Sequence, residues 1–110
     1  MSPFYIGARA VIVVSEWPRN VGRVVIIVGR YIYRLRDGDG NVIDPTPMPG
    51  WLVEDGQTFQ GWESVDGVST RKVVFSECLG IQQWKLRPFV EGEPVHESEE
   101  GIYYVETPTI

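Results

Sequence analysis

The sequence holds little of what catalytic and metal sites are usually built from. It has one cysteine, Cys78, and one histidine, His96, in 110 residues. A lone cysteine excludes an intramolecular disulfide and fits a reducing compartment. A metal site or a hydrolase triad needs histidine, cysteine and carboxylate gathered in one place. His96 stands instead in an acidic stretch, where a solvated side chain is expected, and Cys78 reads as a small buried hydrophobe at a strand end. No glycine-rich phosphate loop ending in lysine and serine or threonine is present. The longest apolar runs, 11–14 and 24–28, are far short of the roughly 20 residues that span a bilayer. The opening "MSPFYIGARA" lacks a basic start followed by an apolar region. No secretory signal, no membrane partner and a cytoplasmic location are therefore expected, with no cofactor and no enzymatic activity.

Helical periodicity is missing too. Twelve glycines and eight prolines punctuate short runs rich in valine, isoleucine and aromatics, which favour strands. The first run, 8–14, ends before Trp17-Pro18, because proline cannot donate to a ladder. Asn20-Val21-Gly22 supplies turn residues, and 23–28 follows as a nearly continuous apolar run. Such a run predicts burial on both faces or a strand that bends, with Gly29 as a bulge or bend. Further strands are expected at 31–35, 51–55 and 72–77. "DPTPMPG", 44–50, reads as a surface loop because of its three prolines. "GIQQWKLRPF", 80–89, reads as one short helical turn with Ile81, Trp84 and Leu86 facing the core. "DGDGN" at 37–41 has the opening of a calcium loop, but Val42 and Met48 stand where an EF-hand needs glycine and glutamate, so a polar turn is expected.

The expected fold is all-β: a small SH3-like barrel of five to six short strands with one short 3-10 or helical turn. Residues 1–90 form the barrel domain, and 91–110 an acidic C-terminal extension with a candidate docked strand at 101–107.

Charge is unevenly distributed. Residues 1–36 hold six arginines against Glu16, a balance of +5, and residues 37–110 hold four bases and fourteen acids, a balance of −10. The candidate binding residues are Trp17, Arg19, Arg23, Arg30, Arg34, Arg36 and Trp62. Arg30, Arg34 and Arg36 have even spacing, so an extended strand would carry them on one face. Arginine in such a row suits phosphate or an acidic partner. The acidic tail is also able to cover this face. Trp17 and Trp62 lie beside turn residues, where exposure and an interface role are expected, and Trp51 and Trp84 are expected in the core.

Gly7, Ala10, Val11 and Val13, the Asn20-Val21-Gly22 turn, Arg23, and Val24, Ile26 and Val28 together resemble a KOW motif. That motif is found in SH3-like barrels of ribosomal proteins and transcription elongation factors, and the match covers about the first quarter of the chain. A longer stretch is similar to small uncharacterised proteins encoded by bacteriophages and prophages: "IGARAVIV", "NVGRVVIIV", a tryptophan-containing strand at 51, then Leu86-Arg87-Pro88-Phe89 and an acidic tail. This resemblance implies a phage or prophage origin and an SH3-like fold, and no activity. The "DGDGN…PTPMPG" insertion and the terminal "IYYVE" depart from it. A binding protein with a protein partner is the resulting expectation, in one version inhibiting a host enzyme that handles nucleic acid or serves defence. A nucleic-acid-binding KOW-like module is the alternative, and a phage structural or assembly component a further one.

Overall fold

Val25 and Ile27 are wholly buried, while Ile26 and Val28 between them are 45% and 37% exposed. The apolar run at 24–28 is thus an alternating strand with one face in the core, not a strand buried on both sides. It opens β2, Val24–Arg36. β1, Arg9–Ile12, pairs antiparallel with it, Ala10 opposite Val25. β3, Val42–Glu54, returns along β2 on its other side, with a register slip at Gly29. There a Cβ would meet Leu52 Cδ1 at 3.2 Å, so the absent side chain makes room for Leu52 where the strand bends.

This computed structural model describes residues 2–36, 39, 41–65 and 68–106, with side chains outside 32–36, 42–47 and 64–69. After β3 come β4, Phe59–Val65, β5, Val68–Ser76, and β6, Leu79–Gln82. The chain closes with β7, Leu86–Pro88, β8, His96–Glu97, and β9, Tyr103–Tyr104. Two 3-10 turns, Pro18–Asn20 and Gln83–Lys85, complete the elements. The fold is all-β, and no α-helix occurs among the described residues.

The main sheet has the order β6-β3-β2-β1-β7, every neighbour antiparallel. Its two edges, β6 and β7, are joined through the Gln83–Lys85 turn but are not hydrogen-bonded to each other, so the sheet is open. β4–β5 and β8–β9 form separate two-stranded ribbons.

Three sequence expectations need correction. The proline-rich segment 44–50 lies in β3, not in a loop. β6 covers only residues 50–53 of β3, so Pro45, Pro47 and Pro49 stand where β2 is the sole neighbour. Proline lacks the N–H a central strand must donate, and a strand with one open side tolerates it. The register slips between Tyr33–Met48 and Leu35–Asp44, leaving three β3 residues unmatched around Pro45 and Pro47. Trp84 is 59% exposed rather than in the core, its Nε1 donating to Gln82 Oε1 at 2.8 Å. Cys78 is exposed rather than buried.

The core gathers Ala8, Ala10, Ile12, Val25, Ile27, Trp51, Val53, Phe59, Ile81 and Leu86. Trp51 is 8% exposed and satisfies its Nε1 on Gln83 Oε1 at 3.0 Å. Val11, Ile102 and Val105 are buried outside that cluster. The acidic C-terminal stretch is anchored by them and by backbone: Val105 N donates to Gly22 O at 2.9 Å, and Tyr104 bridges Arg23.

Arg23 holds these parts together. It is 1% exposed. Its Nε and Nη2 donate to the two Asp55 carboxylate oxygens at 2.9 and 2.7 Å, and its Nη1 to Thr58 O at 2.7 Å. The guanidinium lies 3.8 Å from the Phe59 ring centroid. Asp55 in turn accepts from Gln57 N at 3.0 Å. Removing one member of a buried pair strands the other charge at a cost of about 3–5 kcal/mol. Arg23→Ala is expected to lower the unfolding free energy by that order, whereas Trp84→Ala stays within about 0.5 kcal/mol of wild type; equilibrium unfolding in urea measures both.

A second ion pair staples the stretch after β7. Arg87 Nη1 and Nη2 donate to Glu93 Oε2 and Oε1 at 2.9 and 2.6 Å, and Val90 N donates to Glu93 Oε2 at 2.6 Å. The Arg87 hydrogen bonds, aided by that backbone amide, hold the Glu93 carboxyl below its ordinary value of 4.5. A carboxylate depressed by folding contributes stability that is full above the ordinary value and lost as pH falls through the folded one. Glu93→Gln is expected to flatten the acid limb of stability below about pH 4.5, while wild type declines there; urea titrations across pH compare the two.

Candidate binding face on the β4–β5 ribbon

Alternation along β4 and β5 sorts their side chains onto two faces. Phe59, 1% exposed, turns inward under the Arg23 guanidinium. Trp62 lies opposite Val73, and Gln60 opposite Phe75, so these four share the outward face. Trp62, Val73 and Phe75 are 45%, 41% and 59% exposed. Three large apolar side chains side by side on a two-stranded ribbon are more than scattered surface hydrophobes.

The loop before β2 completes the face. The half-buried Trp17 ring packs tilted against Trp62, centroids 5.1 Å apart. Trp62 Nε1 donates to Glu16 Oε2 at 3.0 Å, which fixes the indole and sets a carboxylate at its rim. The Arg19 guanidinium stands 5.9 Å from the Phe75 ring centroid, and its Nη1 donates to Glu100 Oε2 at 2.6 Å. Glu100 is thus a point where the acidic C-terminal segment touches an arginine of this region.

Asn20 positions the assembly. It ends the Pro18–Asn20 turn and is fully buried. Its Nδ2 donates to Gln60 O at 2.8 Å, and its Oδ1 accepts from Gln60 N at 3.4 Å. One side-chain amide thereby takes the place of a neighbouring strand along β4.

The structure separates the residues picked out by sequence. Trp17, Arg19 and Trp62 come together on this face. Arg23 does not: its burial removes it from the surface and makes it a structural residue. Arg30 is exposed on β2, 5.8 Å from the Trp51 ring centroid. Arg34 and Arg36 lie on β2 with side chains outside the described residues. Val73 and Phe75 escape a sequence reading because "KVVFSE" holds three apolar residues in a row, which does not say which face is inward. Asn20 escapes it because a turn asparagine signals backbone geometry, not a bond 40 residues away.

The remaining chemistry is sparse. Partial burial, then Glu54, push the Cys78 thiol above its ordinary 9.0, which disfavours the nucleophilic thiolate. His96 packs against Tyr104, ring centroids 5.6 Å apart, with Nε2 3.6 Å from Glu106 Oε1. Among the described residues no group of three histidine, cysteine or carboxylate side chains is placed to hold a metal, and no helix is long and apolar enough to cross a membrane. A shallow groove of about 470 Å³, lined by Ser15, Pro18, Val21, Tyr104, Val105 and Glu106, opens to solvent.

No protein-family model, curated protein or solved structure matches the chain.

Leaving Gln60 without its side-chain partner costs about 1–3 kcal/mol. Asn20→Ala is expected to lose that much stability and to speed hydrogen exchange at the Gln60 amide, read by two-dimensional NMR.

Proposed function

We propose that this chain is a non-enzymatic binding protein, built on an SH3-like barrel, that contacts another protein through Trp17, Arg19, Trp62, Val73 and Phe75. The observation that carries the reading is the row of exposed Trp62, Val73 and Phe75 beside Trp17, a patch the core does not require. Tryptophan and arginine are the side chains that dominate interface energetics. The sheet order supports the SH3-like topology: an antiparallel meander whose edge strands β6 and β7 are linked by a single 3-10 turn, with the β4–β5 ribbon inserted before β6.

A protein partner is favoured over nucleic acid. Arg23 is buried, Arg19 is tied to Glu100, and Glu16 sits at the rim of Trp62, so these two arginines are not free to meet phosphates. The net charge of −5 adds long-range repulsion. A phage or prophage protein occupying a basic site on a host enzyme is the concrete form of this reading, carried by charge and by the sequence resemblance.

The test uses the full chain as bait. Capture of a protein from bacterial lysate is expected to be lost in Trp62→Ala and Phe75→Ala and kept in Arg30→Ala, with all three folded by circular dichroism. Tryptophan fluorescence is expected to stay flat on adding RNA or DNA at low salt. Tight binding that weakens steeply with salt transfers the function to nucleic acid.

A further inference from the structure

The β4–β5 ribbon has two outer edges, and they are treated differently. Along β4, Asn20 takes both the N–H and the C=O of Gln60, and Arg23 Nη1 donates to Thr58 O. The N–H and C=O of one strand residue point to the same side. Gln60 therefore turns its backbone away from β5, and its partner Phe75 turns away from β4. Trp62 and Val73, two residues along, follow the same rule. The backbone groups of Val73 and Phe75 thus point out from the β5 edge, and no described residue bonds them. Residues 70–73 and 75–78 are exposed throughout, and Val74 between them is half-buried.

We propose that this edge pairs antiparallel with the same edge of a second copy of the chain, about a twofold axis at Val74. Val73 of each copy then faces Phe75 of the other, and the outward groups close as two hydrogen-bonded pairs. Side chains directly opposite share a face, so Trp62, Val73 and Phe75 of both copies form one apolar surface on a four-stranded sheet. A two-stranded hairpin is marginal alone, and four strands with an apolar face are not.

Charge selects a second copy over a foreign strand. The N-terminal end of this edge is basic, with Arg71 and Lys72, and its C-terminal end acidic, with Glu77. Antiparallel self-pairing sets the basic end of one copy beside the acidic end of the other. The geometry also limits growth. The β4 edge is occupied by Asn20 and Arg23, and the straight part of the β5 edge ends at Arg71, where φ is 60° and the register slips. With Asn20 and Arg23 bonded to Gln60 and Thr58 on the β4 side, the β5 edge is the side of this ribbon that pairs, and a like-to-like contact about a twofold axis closes as a dimer.

Sedimentation equilibrium on the full chain, over a wide concentration series, is expected to show a monomer–dimer equilibrium. Hydrogen exchange at the Val73 and Phe75 amides should slow as concentration rises. Val74 and Ser76, whose amides face β4, should be protected at every concentration. V73E/F75E and V73K/F75K, altered only at exposed positions, should each sediment as monomers and associate when mixed. A chain that stays monomeric overturns the proposal and leaves the edge to a strand of another protein. A dimer whose Val73 and Phe75 amides keep their exchange rates overturns it as well, as do folded charge variants that stay apart on mixing. The inference rests on the edge, not on the partner-binding reading: Trp62→Ala should lose capture and keep the dimer.

Discussion

A guanidinium taken out of water must have its donors answered, and Arg23, through its side chain and its backbone together, joins four parts of the chain. Asp55 follows the end of β3, Thr58 and Phe59 lead into β4, and Tyr104 lies in the C-terminal ribbon. The Arg23 backbone faces β1 as well, its carbonyl accepting from Ile12 N at 3.1 Å. The side-chain contacts to Asp55 and Thr58 fix the path from the end of β3 into β4. A fully buried arginine carries a large desolvation cost, so its worth lies less in added stability than in singling out one arrangement of these segments.

Asn20 extends this control outward. Arg23 sets where β4 begins, and Asn20, three residues earlier, sets the line it follows. Together they swing the β4–β5 ribbon off the sheet with Phe59 inward and Trp62, Val73 and Phe75 outward. The exposed face and the free β5 edge are two consequences of one placement. The buried polar groups that close the β4 edge also leave the opposite edge as the place for pairing.

The acidic C-terminal segment belongs to the same arrangement. Ile102 and Val105 bury apolar surface, and the backbone of Val105 meets Gly22, whose φ of 86° is a conformation glycine adopts without strain. Glu100 then reaches Arg19 at the rim of the aromatic face. The negative charge of this stretch is held beside the candidate site by apolar contacts elsewhere in the stretch.

The sequence by itself determined the class of the molecule. Valine-rich alternation, frequent glycine and proline, and the absence of helical periodicity dictate strands, because local periodicity is a property of neighbouring residues. It also determined that Trp17, Arg19 and Trp62 are candidates for a surface, since each adjoins turn residues or arginine-rich sequence. Only the tertiary structure decided which arginine is buried. Arg19 and Arg23 flank the same turn, yet a carboxylate 32 residues away claims Arg23. The same holds for Trp51 and Trp84, both in apolar patterns and on opposite sides of the core boundary. It holds for the prolines of β3, tolerated because β6 is too short to cover them. In each case the deciding contact joins residues far apart in the chain, and no local pattern encodes a partner it does not contain.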